Sequence, residues 1–389
     1  MPKQPIRLAL LCMVATFTYC ASAQSVIVPG YINLPKDTVV KNELITSLNG
    51  FLAQKEKPNK ENTFVLKANL LETSDLLDEM KGMEQNAQAK DNNFYKCYLS
   101  NVIKVDDNNF MVQFSYIGVN MGNPILRASF RLLAKRGGEV FYFYSPLKQN
   151  TIAWKVKKYG NLTCYYKDTL NAAAAKDYRR MVNFYDAKLK APDYPIDFYY
   201  ADNFNEVQQL LGIDYKADYN GSKYNNLTAH EDNRILMVSG WNDETHRFDA
   251  HDLWHERLRM VMSPTVINRP VDEGCAYLYG GSWGYTWEEV QLRFKKYVAD
   301  NPNADWLNLY LSTANFEGGE KPLKAGYVLN ALIVQKIERE KGFAAVMQLL
   351  SCGPRQKGDD NYFAALEKIS GISKADFNVK MWELIKEMK

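Results

Sequence analysis

The chain has 389 residues, of which 46% are hydrophobic and 24% charged, and it carries a formal net charge of +3. This is ordinary for a packed globular protein and leaves room for two or three domains. So small a charge excess gives no case for a nucleic-acid partner or for an anionic membrane surface.

The first predicted element is a targeting segment. Lys3 and Arg7 precede the apolar run LALLCMVATF, and Ala21, Ser22 and Ala23 supply the small residues of a cleavage site before Gln24. The pattern predicts a signal peptide over residues 1–23, cleaved near Ala23, and an exported chain, periplasmic or secreted. Tyr19 argues against a lipid anchor on Cys20, because a small residue normally stands there. No later stretch is long and apolar enough to suggest a bilayer span. Cleavage removes Lys3 and Arg7 and no acid, lowering the net charge from +3 to +1. Cys97, Cys164, Cys275 and Cys352 remain. Export permits disulfides, and four cysteines allow three full pairings. A domain of this size does not need staples, so free thiols stay open as well. None has a C-x-x-C spacing, which argues against a cysteine zinc site.

Residues 24–150 read as a small α+β module, a helix on an antiparallel sheet. KNELITSLNGFLAQ (41–54) has helical spacing. In NNFMVQFSYIGV (108–119), Phe110, Val112, Phe114 and Tyr116 alternate onto one strand face. RASFRLLA and EVFYFY flank KRGG (135–138), which predicts a hairpin turn.

A boundary falls in SPLKQNT (145–151), and residues 151–389 read as a second α+β domain with a helical lobe. Strands are expected over 161–167, 195–201 and 234–240, and helices over 171–189, 203–212 and 246–262. TWEEVQLRFKKYV (286–298) opens with Thr286 and Glu289 at capping-box spacing. AGYVLNALIVQKIEREKG (325–342) reads as a buried helix stopped by Gly342, and three more helical stretches follow.

The chemistry concentrates in AHDLWHERLR (250–259). His251 and His255 stand four apart, hence on one face of a helix and about 6 Å apart along its axis. Two imidazoles so placed can converge on one ion, and an acid beside the first, here Asp252, is placed to take a proton next to it. A third protein ligand is needed. Glu273, in VDEGCAYLYGGS (271–282), stands eighteen residues after His255. Gly274 and Ala276 are expected to let its helix pack closely on the first, and Gly280 and Gly281 to end it.

His251-Asp252-Leu253-Trp254-His255 followed by Val271-Asp272-Glu273-Gly274 resembles the gluzincin metallopeptidases, in particular their peptidase MA-like bacterial branch. The resemblance covers about 155–389 and includes the strand–helix–strand lead-in and the helical tail; the N-terminal module lies outside it. It implies a zincin-like two-lobed metallopeptidase domain, with Zn²⁺ on His251, His255 and Glu273 and a peptide or protein substrate. Asp252 takes the general-base position, where the family has Glu. Asp is one methylene shorter, which draws the carboxylate back by about 1.5 Å. The ligand spacing is also slightly short of the family's usual one. Two readings follow: an active zinc peptidase, or a degenerate peptidase-fold binding protein with or without zinc. Gluzincins often stabilise the oxyanion with a Tyr or His from the helical lobe; Tyr327 lies in a suitable region, and Tyr277 is nearer in sequence. Trp254 reads as core, Cys275 as a small buried residue, Glu256 and Arg257 as solvated or ion-paired, and His230 and His246 as loop residues.

Overall fold

The computed structural model describes residues 25–221, 226–240 and 248–388. The expected signal peptide and His246 lie outside the described residues. Two compact units make up the chain: one runs to Asn150 and includes Gln208–Lys223, and the other comprises Thr151–Val207 and the chain from Tyr224 onward. Each combines helices with a largely antiparallel or mixed sheet, so the protein is α+β. No helix of the described residues is long and apolar enough to cross a membrane.

In the first unit, α1 (Thr38–Ala53) is started by Asp37, whose carboxylate accepts hydrogen bonds from the Val39 and Val40 amides. Leu44, Leu48 and Phe51 recur at helical spacing and are fully buried. They cover an antiparallel sheet of β1 (Lys96–Lys104), β2 (Asn109–Asn120), β3 (Asn123–Gly137) and β4 (Val140–Tyr144). The Phe51 and Phe143 rings meet at 5.3 Å. Phe110, Val112, Phe114 and Tyr116 all point into this core. The β3–β4 corner comes later than expected: Lys135 and Arg136 stay in the strand, opposite Tyr142 and Phe141, and the turn falls on Gly138 and Glu139. Arg136 is held there by Glu43 of α1 at 2.8 Å. The polar stretch before β1 contains α2 (Leu70–Met80), and a single turn, α3 (Leu147–Asn150), follows β4. A returning segment, Ile213–Lys216, pairs antiparallel with β3.

The second unit is built on a sheet of β5 (Lys155–Tyr159), β6 (Leu162–Tyr166) and β7 (Ile196–Tyr200). Past the returning strand, here β8, come β9 (Asn226–Glu231) and β10 (Arg234–Ser239); the spatial order is β5-β6-β7-β10-β9. The three central strands are parallel and the two edges antiparallel. Accordingly β7 is buried along its whole length, with Asp197 paired to Arg234. His230, expected in a loop, stands in the edge strand β9.

Helix α4 (Ala172–Leu189) packs on this sheet, the Tyr178 and Phe198 rings meeting at 5.0 Å. α5 (Phe204–Leu211) follows β7. The helical part then comprises α6 (Ala250–Val261), α7 (Arg269–Gly280), α8 (Trp287–Asp300), α9 (Trp306–Leu311), α10 (Ala325–Lys341), α11 (Phe343–Leu350), α12 (Asp360–Ser370) and α13 (Phe377–Glu387). A two-stranded ribbon, β11 (Asn315–Glu317) with β12 (Leu323–Lys324), precedes α10. The capping box at Thr286 and Glu289 forms with both of its hydrogen bonds. Cys97, Cys164, Cys275 and Cys352 are all unpaired.

Candidate metal centre

α6 begins at Ala250, later than the pattern suggested, because Asp249 caps it: its carboxylate accepts from the His251 amide at 2.9 Å. Leu253, Trp254 and Leu258 anchor one face of the helix in the core, leaving His251 and His255 one turn apart on another. Arg257 is not solvated. It is buried and pairs at 2.6 Å with Asp186 of α4, which ties α6 to the sheet layer. α7 has Pro270 in its first turn, where a missing amide proton is harmless, and buries Val271 and Cys275.

Two glycines set how α7 meets its neighbours. A Cβ on Gly274 would lie 2.6 Å from Cβ of Asn330, so this glycine admits α10 rather than α6, the neighbour expected from the sequence. The approach to α6 is made by Gly280, where a Cβ would lie 2.6 Å from the Ala250 carbonyl carbon and the His251 nitrogen. Gly281 then ends α7 with φ +77°, and its carbonyl turns toward His251.

That packing brings His251, His255 and Glu273 together. Nε2 of His251 lies 3.2 Å from Nε2 of His255 and 3.4 Å from Oε2 of Glu273, and the His255–Glu273 separation is 4.0 Å. Among the described residues this is the only group of three or more His, Cys, Asp or Glu side chains arranged to hold a metal ion. Tetrahedral coordination at about 2.0–2.1 Å requires ligand atoms about 3.3 Å apart, which two of these three separations meet.

The partners of the outer ring nitrogens sharpen the fit. Nδ1 of His251 donates to the Gly281 carbonyl at 2.8 Å, and Nδ1 of His255 donates to Oδ1 of Asp272 at 2.8 Å. Each bond places the ring proton on Nδ1 and leaves the Nε2 lone pair facing the cluster. With both rings neutral, two lone pairs and a carboxylate oxygen therefore face one another. A cation relieves that arrangement, and the donor set fits one. Asp272 also accepts from Nε1 of the fully buried Trp254 at 3.0 Å, so one carboxylate orients both a histidine and the core beside it.

A proton is the other positive charge that can enter here. Burial disfavours the charged His251 ring, but the hydrogen bonds to Glu273 and the Gly281 carbonyl outweigh it and raise its pKa. Burial likewise opposes ionisation of Glu273, yet the bond from His251 and the charges of His255, His251 and Arg269 hold its carboxyl below the usual range. Glu273 is thus held as an anion among positive neighbours.

A cleft of about 340 Å³ opens on this cluster, lined among others by Asp249, His251, Asp252, Glu273, Tyr277 and Tyr327. Asp252 is solvent-exposed at the cleft and close enough to feel the charges of both histidines and of Glu273. Partial desolvation of its carboxylate by the surrounding cleft, and then the charge of Asp249, raise its pKa. Both candidate tyrosines reach the cleft, their rings 5.6 Å apart, and the Tyr277 ring lies 5.7 Å from that of His251. Sequence reasoning missed Arg269, whose Nε donates to Oε1 of Glu273 at 3.3 Å, and the orienting role of Asp272. The i,i+4 spacing of Arg269 and Glu273 is the signal that could have found the first.

No protein-family model matches the chain, and no curated protein matches it significantly.

Proposed function

We propose that the protein is an exported, zinc-dependent, peptidase-like protein whose second unit is a zincin-like domain of the gluzincin type. The observation that carries this reading is the convergence of His251, His255 and Glu273, with both imidazole tautomers set by Gly281 and Asp272. Two neutral imidazoles and a carboxylate suit zinc, and three protein ligands leave a position for substrate. When bound, zinc would supply Lewis-acid polarisation of a peptide carbonyl and a nucleophile at neutral pH. The rest belongs to the chain. His251, His255 and Glu273 hold the ion, and Gly281 and Asp272 fix the rings. Asp252 would accept a proton from the attacking water at its carboxylate and return it to the leaving amine. The Tyr327 or Tyr277 hydroxyl donates to the carbonyl oxygen as charge develops there.

Asp252 favours a second reading, a degenerate binding protein that cleaves nothing, with or without the ion. A carboxylate drawn back by about 1 Å is enough to lower a rate about 10²-fold. Metal analysis of protein purified without a histidine tag tests the metal site: about one zinc per chain is expected, and none after zinc is supplied refutes the peptidase reading and leaves only a degenerate protein without zinc. The substitution Asp252→Glu separates them. Proteolysis gained from a silent parent supports degeneration, whereas loss of an existing activity supports an Asp-based site.

A further inference from the structure

The cleft is unevenly charged. From α6 it receives Asp249 and Asp252, and from the starts of α7 and α10 it receives Arg269 and Lys324. Arg269 uses Nε on Glu273 and a further bond on Tyr327, yet its side chain is 77% exposed, so part of its guanidinium fork stays open to the cleft. Lys324 is half-buried and pairs with no carboxylate among the described residues; its Nζ rests 5.3 Å from the centre of the Tyr327 ring. The wall behind these cations is firmly built. Ser282 and Tyr285 exchange backbone bonds of 3.0 and 2.8 Å around Trp283, which adopts φ +55°. The Trp283 indole then donates to the Pro322 carbonyl at 2.9 Å, closing the turn against the segment before Lys324.

Resting on the peptidase reading above, we propose that Arg269 and Lys324 select substrates that carry a carboxylate beside the bond at the metal centre. An open guanidinium fork bonded to Glu273 and, on the same cleft, an ammonium with no carboxylate partner among the described residues form a receptor for a planar anion. In a peptide that anion is either the free C-terminus or an acidic side chain.

Calorimetry on the zinc-loaded full chain, with its zinc content measured first, tests this. Three amino-acid hydroxamates serve as probes: one with a free α-carboxylate, the same compound as its neutral amide, and an amide bearing an Asp side chain. At least one anionic probe is expected to bind ~10-fold more tightly than the neutral amide, and which of them does so identifies the source of the carboxylate. Lys324→Gln is expected to cut that preference to below about threefold. Raising the salt from about 0.05 to about 0.5 M is expected to shrink it in the unmutated chain. Zinc-loaded protein that binds all three probes alike, or none of them, overturns the proposal while leaving the metal site intact. Protein that takes up no zinc overturns the functional reading and this inference with it.

Discussion

Replacing Asp272 with Ala separates its support of the Trp254 indole from its hold on the His255 ring. Oδ1 of Asp272 accepts from His255 at 2.8 Å and from Trp254 at 3.0 Å, in a nearly closed environment. Without it the buried indole N–H loses its partner, which costs about 1–3 kcal/mol of stability with no metal present. The His255 ring also loses the bond that holds its proton on Nδ1, and removing such an orienting partner weakens metal binding about 10–100-fold. The two effects separate by linkage. At free zinc buffered about 100-fold above the unmutated dissociation constant, zinc stabilises the parent by about 2.7 kcal/mol. At the same free zinc the variant keeps only about 0.4–1.4 kcal/mol of that increment. Urea unfolding with a chelator measures the first loss; unfolding in the zinc buffer, with a competition titration alongside, measures the second. Asp272→Asn, which keeps an acceptor oxygen, is expected to fall between the two. If Asp272→Ala retains the full zinc increment, Asp272 does not orient a ligand and the assignment of His255 fails.

Gly280→Ala is expected to cost about 1–3 kcal/mol, because its Cβ would meet the Ala250 carbonyl carbon and the His251 nitrogen at 2.6 Å and backbone must move. An unchanged urea midpoint refutes the close approach of α7 to α6. In the first unit, burial and then the neighbouring carboxylates Glu79 and Asp78 push the Asp75 carboxyl well above its usual range. An acid whose folded-state pKa is raised gives stability that is complete below its unfolded value, about 3.9, and that is lost as pH rises through the folded value. Asp75→Asn therefore gains stability relative to the parent as pH increases, and urea unfolding at pH near 5 and near 8 measures this. A difference between the two proteins that does not change with pH refutes it.

How legible each feature was depends on how many elements it takes to create it. The histidine pair needs one helix, so its spacing alone placed both rings on one face. The Phe110–Tyr116 alternation and the Thr286 capping box are local in the same sense, and both stand in the structure. Edge strands were obscured by their own exposure. KVKKY in β5 has no apolar stripe because its side chains face solvent, and His230 lies in a polar-looking segment because β9 has only one covered edge. Strand β8 was hidden for another reason: four residues carry little pattern, and its partner, β3, lies far back in the sequence. The candidate site divides along the same line. Glu273 could be read from a resemblance, but the glycine that brings its helix to α6 was misassigned, because Gly274 and Gly280 look alike in sequence and only packing tells which neighbour each admits. Asp272 takes its role from that same contact, so nothing local marks it as different from an ordinary first-turn acid. Asp252 lies between the two cases. Its place on the helix is a matter of spacing, whereas its reach is set by the distance between α6 and whatever occupies the cleft. A one-methylene difference is decisive only where that distance is fixed from both sides, and here the Gly280 contact fixes one side only.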